Sequence, residues 1–161
     1  MRWIWIDKFT ALEKGTRAVA VKLVSAAEEH VHDLTPHYAL HPHSLIVEGM
    51  AQTAGILIGH ANDYKLKVIL AKVGRATFHR VAKPGDVLEF TATIQTLNDT
   101  GASTEGTVTV NNRPLADINL MFSHIDNNLG GQQFPENNFV FDESNFADLL
   151  RDVDRLTEIT I

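Results

Sequence analysis

Five histidines lie between positions 30 and 43, and a single carboxylate, Glu48, follows them inside a long apolar run. Two kinds of chemistry suit these residue types. His30-x-His32 and His41-x-His43 have spacings at which two imidazoles on extended backbone can share a metal ion. The other chemistry is proton transfer, with an imidazole as base and a carboxylate as acid. The metal reading finds no third ligand beyond Asp33 or Glu29, and the spacing matches no strong motif. No metal is therefore expected. One loop histidine is ordinarily a polar surface group. Five of them directly ahead of an apolar helix point to at least one functional imidazole.

The element that must carry Glu48 is that helix. Ser44 is a suitable N-cap, and the run to about His60 reads as one helix. Leu45, Ile46, Val47, Met50, Ile56, Leu57 and Ile58 cover more than one of its faces, so the helix is expected to be buried within its own domain. Gly49, Ala51, Ala54 and Gly55 would let a sheet approach closely. Ser44, Glu48 and Gln52 recur every fourth residue and form one narrow polar stripe. A carboxylate placed there has two readings. It is a structural group that caps a loop or pairs with Arg75 or Arg80, or it is a general acid, because burial disfavours the charged form of a carboxylate.

Strands are expected around the helix. Trp3 to Asp7 and Arg17 to Ser25 read as two strands joined by a turn at Lys14-Gly15. The histidine- and proline-rich stretch up to His43 reads as an irregular loop. Val68 to Phe78 is broadly apolar, and Lys83-Pro84-Gly85-Asp86 is a turn. Leu88, Phe90, Ala92 and Ile94 alternate with polar residues at a period of two. Thr104 to Val110 alternates again, and Ala116, Ile118, Leu120 and Phe122 form the inward face of a last strand. The economical packing is a curved antiparallel sheet around the helix, an α+β fold. Residues 1–123 form this domain. Residues 124–161 are a linker rich in Asn, Gly and Gln followed by a short amphipathic helix, Phe141 to about Leu156, a C-terminal helical extension of the fold.

Bulk properties narrow the class. The chain has 161 residues, enough for one domain with a core, and no cysteine, so thiol chemistry is excluded. The net charge of −6 resides in residues 124–161, because the first 123 residues carry 12 basic and 12 acidic side chains. Without a basic stripe interleaved with aromatics, nucleic-acid binding is not expected. The N-terminus is charged too early for a signal peptide, and the apolar run is too short to cross a bilayer. A soluble, cytoplasmic protein is expected.

Pro42 to Gln52, PHSLIVEGMAQ, resembles the central-helix motif of the hot-dog β-hydroxyacyl-acyl-carrier-protein dehydratases of fatty-acid synthesis (the FabZ/FabA type), roughly H-F-P-x-x-P-x-M-P-G-V-L-x-x-E-A-x-A-Q. Ala71 to Phe90, AKVGRATFHRVAKPGDVLEF, resembles a second family block, V-x-x-A-R-F-K-R-P-V-x-P-G-D-x-L, and Asn112 to Phe122 its closing strand. The resemblance implies a hot-dog fold, dimerised edge to edge. It implies that a histidine removes the C2 proton of a 3-hydroxyacyl thioester on acyl carrier protein or coenzyme A. A carboxylate from the partner subunit helps the C3 hydroxyl leave as water. Backbone N–H groups at the helix N-terminus hold the thioester carbonyl.

Glu48 falls on the carboxylate position, Gln52 on the family's Gln, and His43 on its Gly; with Ser44 the last two would contact substrate. No metal or organic cofactor is needed. The family's histidine position is occupied by Leu34, which cannot take a proton. His37 and His41 appear three and seven residues later. Three functions stay open: a dehydratase whose base is His37 or His41, a hot-dog thioesterase using Glu48 alone, or an acyl-binding protein without turnover. Lys72, Arg75, Arg80 and Lys83 could offer a basic pocket mouth to an acidic carrier protein.

Overall fold

A computed structural model of the chain describes residues 3–33, 38–125, 128–129, 132–133 and 148–150. Strand β1 is Lys8–Glu13 and β2 is Arg17–Leu23. A one-turn helix α1, His30–Asp33, precedes the long helix α2, His43–Ala61. Strands β3 (Lys67–Phe78), β4 (Val87–Asn98), β5 (Gly101–Val110) and β6 (Arg113–Ile125) follow. They form one antiparallel sheet in the order β1-β2-β4-β5-β6-β3.

The sheet wraps α2 as the alternation predicts. Phe90, Leu88 and Ala92 on β4 face inward with Ile118 and Leu120 on β6, and meet Ile46, Met50, Ile56, Leu57 and Ile58 in one buried cluster. Two glycines set the approach. A Cβ on Gly49 would stand 2.8 Å from the Phe90 ring, and one on Gly106 of β5 would overlap the Met50 side chain. Helix and sheet therefore meet at glycine, where no Cβ holds them apart.

Four expectations need correction. The first strand is Lys8–Glu13, not Trp3 to Asp7. The earlier segment runs irregularly, and its backbone is tied by the Gln52 side chain and by the bond from Asp7 N–H to the Val21 carbonyl (2.8 Å). Ser44 is not the N-cap. Pro42 stands there without a side-chain cap bond, and Ser44 is exposed within the first turn. The histidine-rich stretch is not wholly irregular, since α1 interrupts it. The segment after β6 contains a short ribbon, β7 (Asn128–Leu129) paired with β8 (Gln132–Gln133).

Residues 148–150 are helical, and Leu149 and Leu150 pack against the core. The rest of the expected tail helix lies outside the described residues, as do Leu34 and His37. Among the described residues, no helix is long and apolar enough to cross a membrane.

Candidate active site

The polar stripe on α2 is graded in depth. Ser44 is exposed, Glu48 half-buried and Gln52 buried. A buried amide must find partners for its donor and acceptor, and Gln52 does so through three bonds. Its Oε1 accepts from the Trp5 N–H at 2.8 Å. Its Nε2 donates to the Trp3 carbonyl at 2.8 Å and to Glu48 Oε1 at 2.9 Å. Gln52 thus fastens the N-terminal segment across the helix and braces the carboxylate one turn earlier. Of the arginines considered as partners for Glu48, Arg75 donates to Thr77 and Arg80 to the Pro114 carbonyl.

At the N-terminus of α2, the first intrahelical bonds run from Leu45 and Ile46 to the Pro42 carbonyl. The N–H groups of His43 and Ser44 precede them and have no acceptor within the helix. The His43 ring stacks on Phe78, centroids 4.0 Å apart and planes parallel.

The remaining histidines divide differently from the sequence spacing. His32 is exposed and bonds the Ala26 carbonyl at 3.0 Å. His41 is fully buried, and its N–H donates to the Ala82 carbonyl at 2.8 Å. Its Nδ1 lies 3.2 Å from His30 Nε2, and both rings pack against Trp5. Its Nε2 is buried with no hydrogen-bond partner among the described residues. Burial, then the nearby His30 and Lys22, push the His41 imidazole down to about 4, against the weaker opposing pull of Glu28.

Glu28 completes the group. Its Oε2 is 3.4 Å from His30 Nε2, and its Oε1 is 2.6 Å from the buried ammonium of Lys22. Burial pushes the Glu28 carboxyl up, but the Lys22 bond and charge, the Ser25 N–H and His30 together hold it below the usual range. The imidazoles that meet are therefore His30 and His41, across the loop. Among the described side chains the acid beside them is Glu28 rather than Glu29, and the Asp33 side chain lies outside that description. The sequence offered no signal for Lys22 or Trp5, whose placement depends on the sheet. Arg80 and Lys83 line a surface groove together with Arg113, which sequence reasoning missed, and with Asp86 and Asn111.

A scan of protein-family models finds no match. Among curated proteins, the 3-hydroxyacyl-(acyl-carrier-protein) dehydratase FabZ of Pelotomaculum thermopropionicum is 31% identical over 122 residues, covering 75% of this chain and 87% of that protein. The protein of the same name from Hydrogenobaculum sp. is 36% identical over 119 residues, covering 72% and 80%.

Solved structures agree on the fold. The dehydratase heterocomplex ApeI:P from Xenorhabdus doucetiae superposes with a TM-score of 0.62 at 17% identity, covering 76% of this chain and 84% of that one. A hot-dog-like protein from Thermanaerovibrio acidaminovorans gives 0.60 at 16% identity, covering 71% and 84%. A sheet wrapped round a glycine-lined helix accords with these similarities: the chain belongs to the FabZ family of 3-hydroxyacyl-(acyl-carrier-protein) dehydratases and adopts the hot-dog fold.

Proposed function

We propose that the chain dehydrates 3-hydroxyacyl thioesters carried by acyl carrier protein, in the cytoplasm and as a homodimer. The observation that carries this reading is the braced carboxylate, Glu48 held by Gln52 at 2.9 Å on the family's helix. In the reaction an imidazole takes the C2 proton. The C3–O bond breaks, the departing oxygen takes the proton of Glu48 and leaves as water, and the electron pair of the C2–H bond becomes the C2–C3 double bond. The N–H groups of His43 and Ser44 stabilise the charge on the thioester oxygen.

His37 is the base in this reading. His41 is closed inside the domain, and its depressed basicity is far from the value that suits proton abstraction near neutral pH. The basic groove of Arg80, Lys83 and Arg113 suits an acidic carrier. Among the described residues strand β3 pairs only with β6 and carries a run of exposed residues, so it offers an edge for pairing with a second chain. That second chain would supply the Glu48 facing each base.

The test is hydration of a crotonyl thioester by purified protein. Glu48→Gln abolishes it with the fold intact, and His37→Ala costs on the order of 10² to 10⁴ in rate. Unchanged hydration by Glu48→Gln refutes the proposal. Thiol release without an enoyl product would instead mark a thioesterase, and acyl binding without either product a non-catalytic protein.

A further inference from the structure

The His30–His41 contact has no role in dehydration, and it is an unusual arrangement for a protein interior. Two imidazoles share one hydrogen bond, and the second nitrogen of the buried ring finds no partner among the described residues. The facing nitrogens, His30 Nε2 and His41 Nδ1, stand 3.2 Å apart with a Glu28 carboxylate oxygen 3.4 Å from the first, a spacing at which three ligand atoms can share one cation.

We propose that Glu28, His30 and His41 form a binding site for one zinc-type divalent cation. Their ligand atoms all lie within 4.8 Å of one another. A tetrahedral zinc with bonds of about 2.0–2.1 Å has ligand–ligand edges of about 3.3–3.4 Å. The measured edges are 3.2 Å from His30 Nε2 to His41 Nδ1 and 3.4 Å from His30 Nε2 to Glu28 Oε2. Two edges of the tetrahedron are therefore already in place. The third closes by a small rotation of the half-buried Glu28 side chain.

The surroundings match the chemistry of the donor set. Two imidazoles and a carboxylate suit zinc and leave a fourth position for water. Lys22 holds Oε1 of Glu28 at 2.6 Å, which turns Oε2 toward His30, as an outer partner orients a ligating carboxylate. Its ammonium also opposes a second positive charge, which moderates the affinity. Trp5 packs on both rings and limits water on that side. The cation would join α1 to the residue two positions ahead of α2, across the loop already closed by the bond from Leu40 N–H to the Val31 carbonyl at 3.0 Å.

The test uses the full chain, stripped with a chelator and titrated with zinc sulfate by calorimetry, with cobalt chloride as a spectroscopic probe. Wild type binds one zinc per chain, shows the visible bands of tetrahedral cobalt, and melts at a higher temperature with zinc than without. His30→Ala and Glu28→Gln each weaken binding about 100-fold or more and remove the zinc-dependent shift in melting. His32→Ala and His79→Ala leave both unchanged. If His30→Ala fails to fold, Glu28→Gln alone decides. The proposal is overturned if wild type binds no zinc, if Glu28→Gln holds it as tightly as wild type, or if binding follows His79, which faces Asp117 on the surface.

Discussion

Replacing Gln52 by leucine separates the buried amide's structural role from its effect on Glu48. The substitution keeps the volume close and removes three hydrogen bonds, to Trp5, Trp3 and Glu48. Each of the three bonds is worth about 0.5–1.5 kcal/mol. Trp3 is exposed and its carbonyl regains water, and Glu48 is half-buried and partly regains it. The net loss is then about 2–3 kcal/mol. At this chain length that lowers the melting temperature by about 5–10 °C, measured by circular dichroism.

Turnover supplies the second readout. Without its brace Glu48 samples more rotamers, so kcat falls while KM stays near wild type. Gln52→Glu is harsher, because two carboxylates one turn apart compete for a single proton. A Gln52→Leu protein within 0.5 kcal/mol of wild type in stability and with unchanged kcat would refute the reasoning on both counts, leaving the three bonds without energetic consequence.

Other outcomes can be checked separately. If the resemblance aligns Leu34 with the family's histidine, Leu34→His raises the rate of crotonyl-thioester hydration by on the order of 10² to 10⁴; no gain would refute that correspondence. Gly101→Ala places a Cβ against the Phe122 backbone carbonyl, which no rotamer change relieves. It costs about 1–3 kcal/mol in chemical denaturation, and an unaffected midpoint would contradict the tight β5–β6 approach. Phe90→Ala, at the point where β4 meets Gly49, costs about 3–5 kcal/mol in the same assay. Sedimentation equilibrium gives twice the 17.8 kDa chain mass if the β3 edge pairs, and a single-chain mass would remove the dimer from the proposal.

Elements whose pattern reports one face against a sheet or helix were legible. The period of two in Leu88, Phe90, Ala92 and Ile94 and the apolar run from Leu45 each reflect burial of a whole element, and β4 and α2 appear where that pattern placed them. The start of the chain was misread because Trp3 to Asp7 is apolar without alternation. Two of its backbone groups bond a side chain 47 and 49 residues away, which no local pattern records. Ser44 misled for a related reason. Its type suits a cap, but Pro42 already begins the helix, and its carbonyl accepts the first bonds.

In the site the division runs between spacing along the chain and distance across it. The four-residue period of Glu48 and Gln52 follows from helical geometry, so their contact was readable from the sequence, as was the family that the helix motif indicates. The grouping of His30 with His41 and Glu28 was not. Sequence spacing pairs His30 with His32, but on a single helical turn residues two apart diverge. In space it is position 41 that stands beside position 30. Which imidazole is buried, and so loses its basicity, depends on Trp5, Lys22 and Ala82 arriving from three other parts of the fold. Periodicity determined the helix, the sheet and the carboxylate, because these express local geometry. Only the tertiary structure decided the company of the histidines, because burial and charge at a side chain are properties of its neighbours in space.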